Sequence, residues 1–91
     1  MSDLQQLIKA GALVVDVRST EEYEDEHYPN ALNIPVEMTQ ARMSEYGDKN
    51  RPIIVYCASG ARSAYAARFL KANGYTNVVN AGGLYDMPDP S

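Results

Sequence analysis

The sequence predicts an α/β domain with a mostly parallel central sheet and helices on both faces, and three features predict it. Short apolar runs rich in β-branched residues, at 12–17, 32–34, 53–56 and 78–79, alternate with segments of helical spacing. Parallel strands need crossover connections, and strand–helix alternation supplies them. The runs at 12–17 (broken by Asp16) and 53–56 are continuously apolar, as in strands covered on both faces. Capping residues and glycines punctuate the helical segments where helices should start and stop.

In chain order, Ser2 or Asp3 is placed to cap a short first helix carrying Leu4, Leu7 and Ile8 on one face, with Gly11 past its end. The strand at 12–17 follows. Ser19 and Glu22 then have capping-box spacing and open a short acidic helix to about Asp25. A second strand at 32–34 is closed by Pro35. Val36, Met38, Met43 and Tyr46 fall in a helical segment ending at Gly47, with Met38 and Met43 expected in the core. After a polar turn at 48–50, Pro52 introduces the strand 53–56, where β-branched residues dominate. A loop from Cys57 to Ala61 leads into a helix with Ser63, Ala66, Ala67 and Leu70 at helical spacing and Gly74 as its stop. Val78-Val79 is the last strand, before Ala81-Gly82-Gly83 and a short polar tail.

The 91 residues make a single domain, 1–91, near the lower size at which one hydrophobic core suffices. One cysteine excludes an internal disulfide, and one cysteine with one histidine argues against structural zinc. No metal or other cofactor is expected, and the chain is expected to be a monomer. A net charge of −4 argues against a nucleic-acid or anionic-membrane binder, which needs a basic face. No apolar run is long enough to span a bilayer. Met1-Ser2-Asp3 lacks the features of a secretory signal, so a cytoplasmic location is expected, or a periplasmic one if a signal peptide has been removed.

In parallel α/β sheets ligands bind beyond the carboxyl ends of the strands. Two loops lie there: one after Val17, holding Arg18, and one after Tyr56, holding Cys57. The second, Cys57-Ala58-Ser59-Gly60-Ala61-Arg62, joins a buried strand to a helix. Backbone N–H groups in such a loop converge on an anion, and the helix adds the positive end of its dipole. Gly60 permits the positive φ that such curling needs. Arg62, in the first helical turn, either closes the loop with hydrogen bonds or meets an anion. A cysteine in this cradle is a stabilised thiolate, nucleophilic toward sulfur. The competing reading of Cys57 is a buried structural cysteine, and the glycine and arginine at loop spacing favour the functional one.

These residues resemble the rhodanese family. The loop from Cys57 to Arg62 is similar to its Cys-x-x-Gly-x-Arg active-site loop. The stretch Asp16-Val17-Arg18, Glu22-Tyr23, His27, Pro29, Ala31 and Asn33-Ile34-Pro35 resembles its N-terminal signature, and Asn80-Ala81-Gly82-Gly83-Leu84 its closing glycine motif. Single-domain members of the phage-shock-protein E kind look most similar. The resemblance implies a rhodanese-like fold and a thiosulfate sulfurtransferase working through a Cys57 persulfide. The donor would be thiosulfate or another sulfane, and the acceptor cyanide or a thiol, free or on a protein. Backbone N–H groups of Ala58, Ser59, Gly60, Ala61 and Arg62 would hold the anionic sulfur, with Arg62 organising the loop. Many members carry a basic residue inside the loop; here Ala58 and Ala61 leave Arg62 as its one cation, so modest activity on dianionic thiosulfate is expected. Glu26 and Asn30 stand where the family usually has glycines, and Asn30 is predicted to keep a left-handed turn.

Asp16, ending a hydrophobic strand, needs a partner. It is expected to support the site, by fixing the active-site loop through Arg62 or by capping the turn at 18–20. Arg18 either lines the pocket mouth or pairs with the acidic helix. His27 is expected to be structural, since a cradled thiolate needs no base, and Tyr65 is placed to line the pocket. The acidic cluster Glu21, Glu22, Glu24, Asp25 and Glu26 reads as a solvated face, with docking of a basic acceptor protein as the sharper alternative. Competing functions are a non-catalytic sulfur carrier or regulatory module on the same fold, and a cysteine-dependent phosphatase or arsenate reductase, whose loops hold one residue more between cysteine and arginine.

Overall fold

The computed structural model describes residues 3–90. A first helix, α1 (Asp3–Lys9), has Asp3 in its first turn, and Ser2, the other proposed cap, lies outside the described residues. The strands β1 (Leu13–Asp16), β2 (Leu32–Asn33), β3 (Ile53–Cys57) and β4 (Val78–Gly83) form one all-parallel sheet in the order β2-β1-β3-β4. Helix α2 (Thr20–Asp25) connects β1 to β2, and α3 (Ala61–Ala72) connects β3 to β4. From β1 the chain moves outward to one side of the sheet and from β3 to the other. The crevice of such a sheet therefore opens between the carboxyl ends of β1 and β3.

Alternation along the strands sorts side chains onto two faces. Val15, Ile53, Val55 and Cys57 pack with Ala66, Ala67 and Leu70 of α3, while Val14, Ile54 and Tyr56 pack with Leu4, Leu7 and Ile8 of α1 and Tyr23 of α2. Both faces are covered, which is why the strands read as continuous apolar runs. The same alternation places Cys57 on the α3 face.

Local chemistry sets the helix ends. Ser19 and Glu22 form the capping box in full: Ser19 Oγ accepts from the Glu22 N–H, and the Glu22 carboxylate accepts from the Ser19 N–H. Asn30 takes a left-handed φ of 67°, alone among the described non-glycine residues, which replaces the glycine the turn would otherwise use. Glu26 sits before it in extended backbone, so its side chain costs the turn nothing.

Four expectations are corrected. Residues 36–47 are two separate 3-10 turns, Val36–Met38 and Met43–Tyr46, and no continuous helix. Thr39 Oγ1 donates to the Val36 carbonyl, competing with an α-helical ladder, and the turns close through i→i+3 bonds instead. Met38 consequently points outward, 39% exposed, while Met43 packs against the core. Cys57 is the last residue of β3, ahead of the loop, and β4 runs on through Gly83 where only residues 78–79 are predicted. Among the described residues no helix is long and apolar enough to cross a membrane.

Leu70 is fully buried between α3 and the sheet. Leu70→Ala should destabilise the domain by about 2–5 kcal/mol in urea unfolding, and a loss well below that would show that the α3 face is loosely packed.

Candidate active site

The site is built where β1, β3 and β4 end. Cys57 is fully buried at the end of β3, and the chain turns through Ala58, Ser59 and Gly60 into α3. Gly60 carries φ 100°, as its place in the curl requires, and a Cβ there would stand 3.3 Å from Gly82 Cα. The turn brings the Gly60 N–H to 2.9 Å from Cys57 Sγ. Ser63 Oγ lies 3.4 Å from the sulfur, 2.6 Å from Asn80 Oδ1 and 3.2 and 3.5 Å from the carbonyls of Gly60 and Gly82, so the sulfur is one of several acceptors for its single proton. Burial pushes the Cys57 thiol up. Hydrogen bonds from Ser63 Oγ and from the backbone N–H groups of Ser63, Gly60 and Ser59 outweigh it, and the thiol settles below its ordinary value.

Strand β4 shapes the loop from below. The pairing of β3 with β4 slips between Val55 and Cys57: Val55 pairs with Asn80 and Cys57 with Gly83, so β4 carries an extra residue. Gly82 absorbs it at φ 93°. Gly83 then lies directly under the loop, where an added Cβ would overlap the carbonyl oxygen of Ala58. Asn80 clamps the far end, its Nδ2 donating to the Gly60 carbonyl at 3.2 Å and its Oδ1 accepting from the Gly82 N–H at 3.0 Å. The closing glycine motif is thus the floor of the loop that follows Cys57.

The arginines fall into separate arrangements. Asp16, fully buried, accepts from the Arg18 N–H at 2.9 Å, from the Arg18 guanidinium at 2.7–3.1 Å and from Tyr56 Oη at 2.9 Å. Arg18 also donates to the carbonyl of Glu26, and Tyr56 Oη accepts from the Tyr28 N–H. Of the two supports expected of Asp16, the turn cap is present; its bonds go to Arg18 and Tyr56, and the link to Arg62 is not formed. Arg18 is buried in this network, so it reaches the end of the acidic helix by a backbone carbonyl and stays away from the pocket mouth. Arg62 turns instead to Glu22, with contacts of 2.7 and 3.2 Å. Through Glu22 the capping box of α2 is tied to the first turn of α3. The guanidinium holds the Glu22 carboxyl down to about 2, against the cost of its partial burial and with help from the N–H and Oγ of Ser19. Arg62 makes no hydrogen bond to the sulfur and acts on it only through space.

An open depression of about 310 Å³ beside the loop is lined by Val36, Glu37, Ala61, Arg62 and Tyr65, and its walls are mainly apolar. Tyr65 therefore lines it, as its position after the loop predicts. His27 is far from this chemistry in its bonding: its ring stacks on Tyr23 at 3.8 Å, and Nδ1 is 2.8 Å from the Tyr23 carbonyl. Ser63 and Asn80 were not among the expected site residues. Ser63 did carry a signal, a hydroxyl on the buried stripe of a helix, which demands a polar partner.

Asp16→Ala should cost about 3–5 kcal/mol, because it strands the Arg18 charge in the interior. Gly83→Ala should lower Tm and displace the loop, read as weaker amide protection of Gly60 in hydrogen exchange; unchanged protection would show that the β4 floor does not set the loop.

Comparison with known proteins agrees with this architecture. Residues 1–86 match the model of the rhodanese-like domain. The chain is 43% identical over 77 residues to the thiosulfate sulfurtransferase PspE of Escherichia coli, covering 84% of this chain and 74% of that protein. It is 35% identical over 78 residues to the thiosulfate sulfurtransferase GlpE of Coxiella burnetii, covering 86% and 72%. Among solved structures, a rhodanese with anions from E. coli superposes with a TM-score of 0.79 at 42% identity, over 86% of this chain and 95% of that one. A four-stranded parallel sheet, a cysteine at the end of its third strand and a floor of glycines under the loop belong together here, and the chain is a member of the rhodanese-like family.

Proposed function

We propose that the chain is a sulfurtransferase working through a persulfide on Cys57. The observation that carries this is the set of hydrogen-bond donors gathered on one buried sulfur, which favours an anion at that point. The Cys57 thiolate attacks the outer sulfur of thiosulfate, the sulfur–sulfur bond breaks, and its electron pair leaves with sulfite. Cys57 is left as an anionic persulfide whose charge the same N–H groups can accept. A thiolate or cyanide then attacks the outer persulfide sulfur, and the thiolate of Cys57 returns. With one cysteine in the chain, the sulfur has no internal acceptor. Ala58, Ser59, Gly60, Ala61 and Arg62 form the rim past which a donor sulfur reaches Cys57. Arg62, fixed by Glu22, holds the loop closed on the α2 side, and Asp16 with Arg18 supports the neighbouring loop.

Incubation with thiosulfate or an organic persulfide should add one sulfur atom to the intact mass. Cyanide should remove it as thiocyanate, and Cys57→Ser should abolish it. Failure of any donor to load Cys57 would overturn the proposal.

A further inference from the structure

The sulfur-transfer site carries little free positive charge. Arg62 is the one cation lining the depression at the start of α3, the helix that follows the Cys57 loop, and its guanidinium is matched by the Glu22 carboxylate in a two-point contact. Glu37 lines the same depression, exposed and without an ion pair or hydrogen bond among the described residues. Arg18 is neutralised by Asp16 out of reach. The next cation along α3, Arg68, lies six residues on from Arg62, about 9 Å up the helix axis. Arg62, Glu22 and Glu37 therefore sum to a negative charge, and the helix that carries Glu22 is itself acidic. The rest of the lining, Val36, Ala61 and the half-exposed ring of Tyr65, is apolar. A space of about 310 Å³ accommodates a small organic group.

We infer that Glu22 and Glu37 determine partner choice, and that the site exchanges sulfur with organic thiols and persulfides of apolar, non-anionic body in preference to inorganic or carboxylated anions. The inference rests on the sulfur-transfer reading above. In the loading step the Cys57 thiolate attacks the terminal sulfur of R–S–SH, forming Cys57–S–SH and releasing R–S⁻. Discharge is the reverse, so one seat serves both. The organic group lies on Val36, Ala61 and Tyr65, where Glu37 repels a carboxylate or sulfonate. Glu22 withholds from such an anion the cation it would need. Thiosulfate, a dianion with no apolar body, gains neither contact and meets the repulsion at full strength.

The test uses the full chain preloaded as the Cys57 persulfide at low salt. Discharge by benzyl mercaptan and by 3-mercaptopropionate is followed by intact mass, with each rate divided by the thiolate concentration. Benzyl mercaptan should be faster by about fivefold or more, the scale of one unit charge a few ångströms away in water. Added salt should shrink the ratio, as should Glu37→Gln, a surface change that leaves folding intact. Glu22→Gln should raise the rate of loading by thiosulfate. A ratio near one at low salt, or a ratio that neither salt nor Glu37→Gln reduces, would overturn the inference while leaving sulfur transfer standing. Failure to load Cys57 from any donor would overturn both.

Discussion

A sulfur anion buried in a domain this small needs donors that are already in place, because the interior offers it no water. The path of residues 58–60 answers that requirement, and most of the surrounding structure can be understood as fixing the path. The left-handed Gly60 turns the Gly60 N–H onto Cys57 Sγ, and α3 begins at once, so that Ser63 adds its hydroxyl and its N–H from the first turn. The loop closes this tightly only because Gly83 leaves room for the Ala58 carbonyl and Asn80 holds that of Gly60. A bulge in β4 puts Gly83 opposite Cys57.

The second buried charge is handled differently. Asp16 and Arg18 are neighbours in sequence and partners in space, and Tyr56 joins them from the adjacent strand. This network lies on the opposite face of the sheet from Cys57, the even-numbered face of β1 and β3. It anchors the turn after β1, and so sets where α2 starts and where Glu22 meets Arg62. Charge is thus separated by role. One pair locks the scaffold in the interior, another ties two loops together at the surface, and the Cys57 sulfur relies on dipoles and hydrogen bonds.

Much of this was legible in the residues. Continuous β-branched runs gave away a sheet covered on both faces, the Ser19–Glu22 spacing foretold a capping box that forms in full, and Asn30 was placed in the left-handed region it occupies. Gly60 takes the positive φ that the reading of the loop from Cys57 to Arg62 asks of it, and a helix follows at once. What remained hidden depended on contacts between distant segments. Nothing in the spacing of Arg18 and Arg62 tells which of them faces Asp16; the answer comes from strand alternation and from the reach of Glu22 across 40 positions. Likewise Asn80 and Gly83 act on residues 20 and 25 positions away, Gly60 and Ala58, through a register slip that leaves no periodic trace. The 36–47 segment misled because its apolar spacing suits a helix, while Thr39 satisfies the Val36 carbonyl and favours tight turns.

Backbone N–H groups and Ser63, and not the paired Arg62, are expected to hold the negative sulfur. Titration of Cys57 by its thiolate ultraviolet absorbance tests it in the wild type, in Arg62→Met and in Ser63→Ala. Ionisation below that of an ordinary thiol is expected in both the wild type and Arg62→Met, with Ser63→Ala moved upward. An Arg62→Met protein that titrates as an ordinary thiol, beside a Ser63→Ala protein unchanged from wild type, would contradict it.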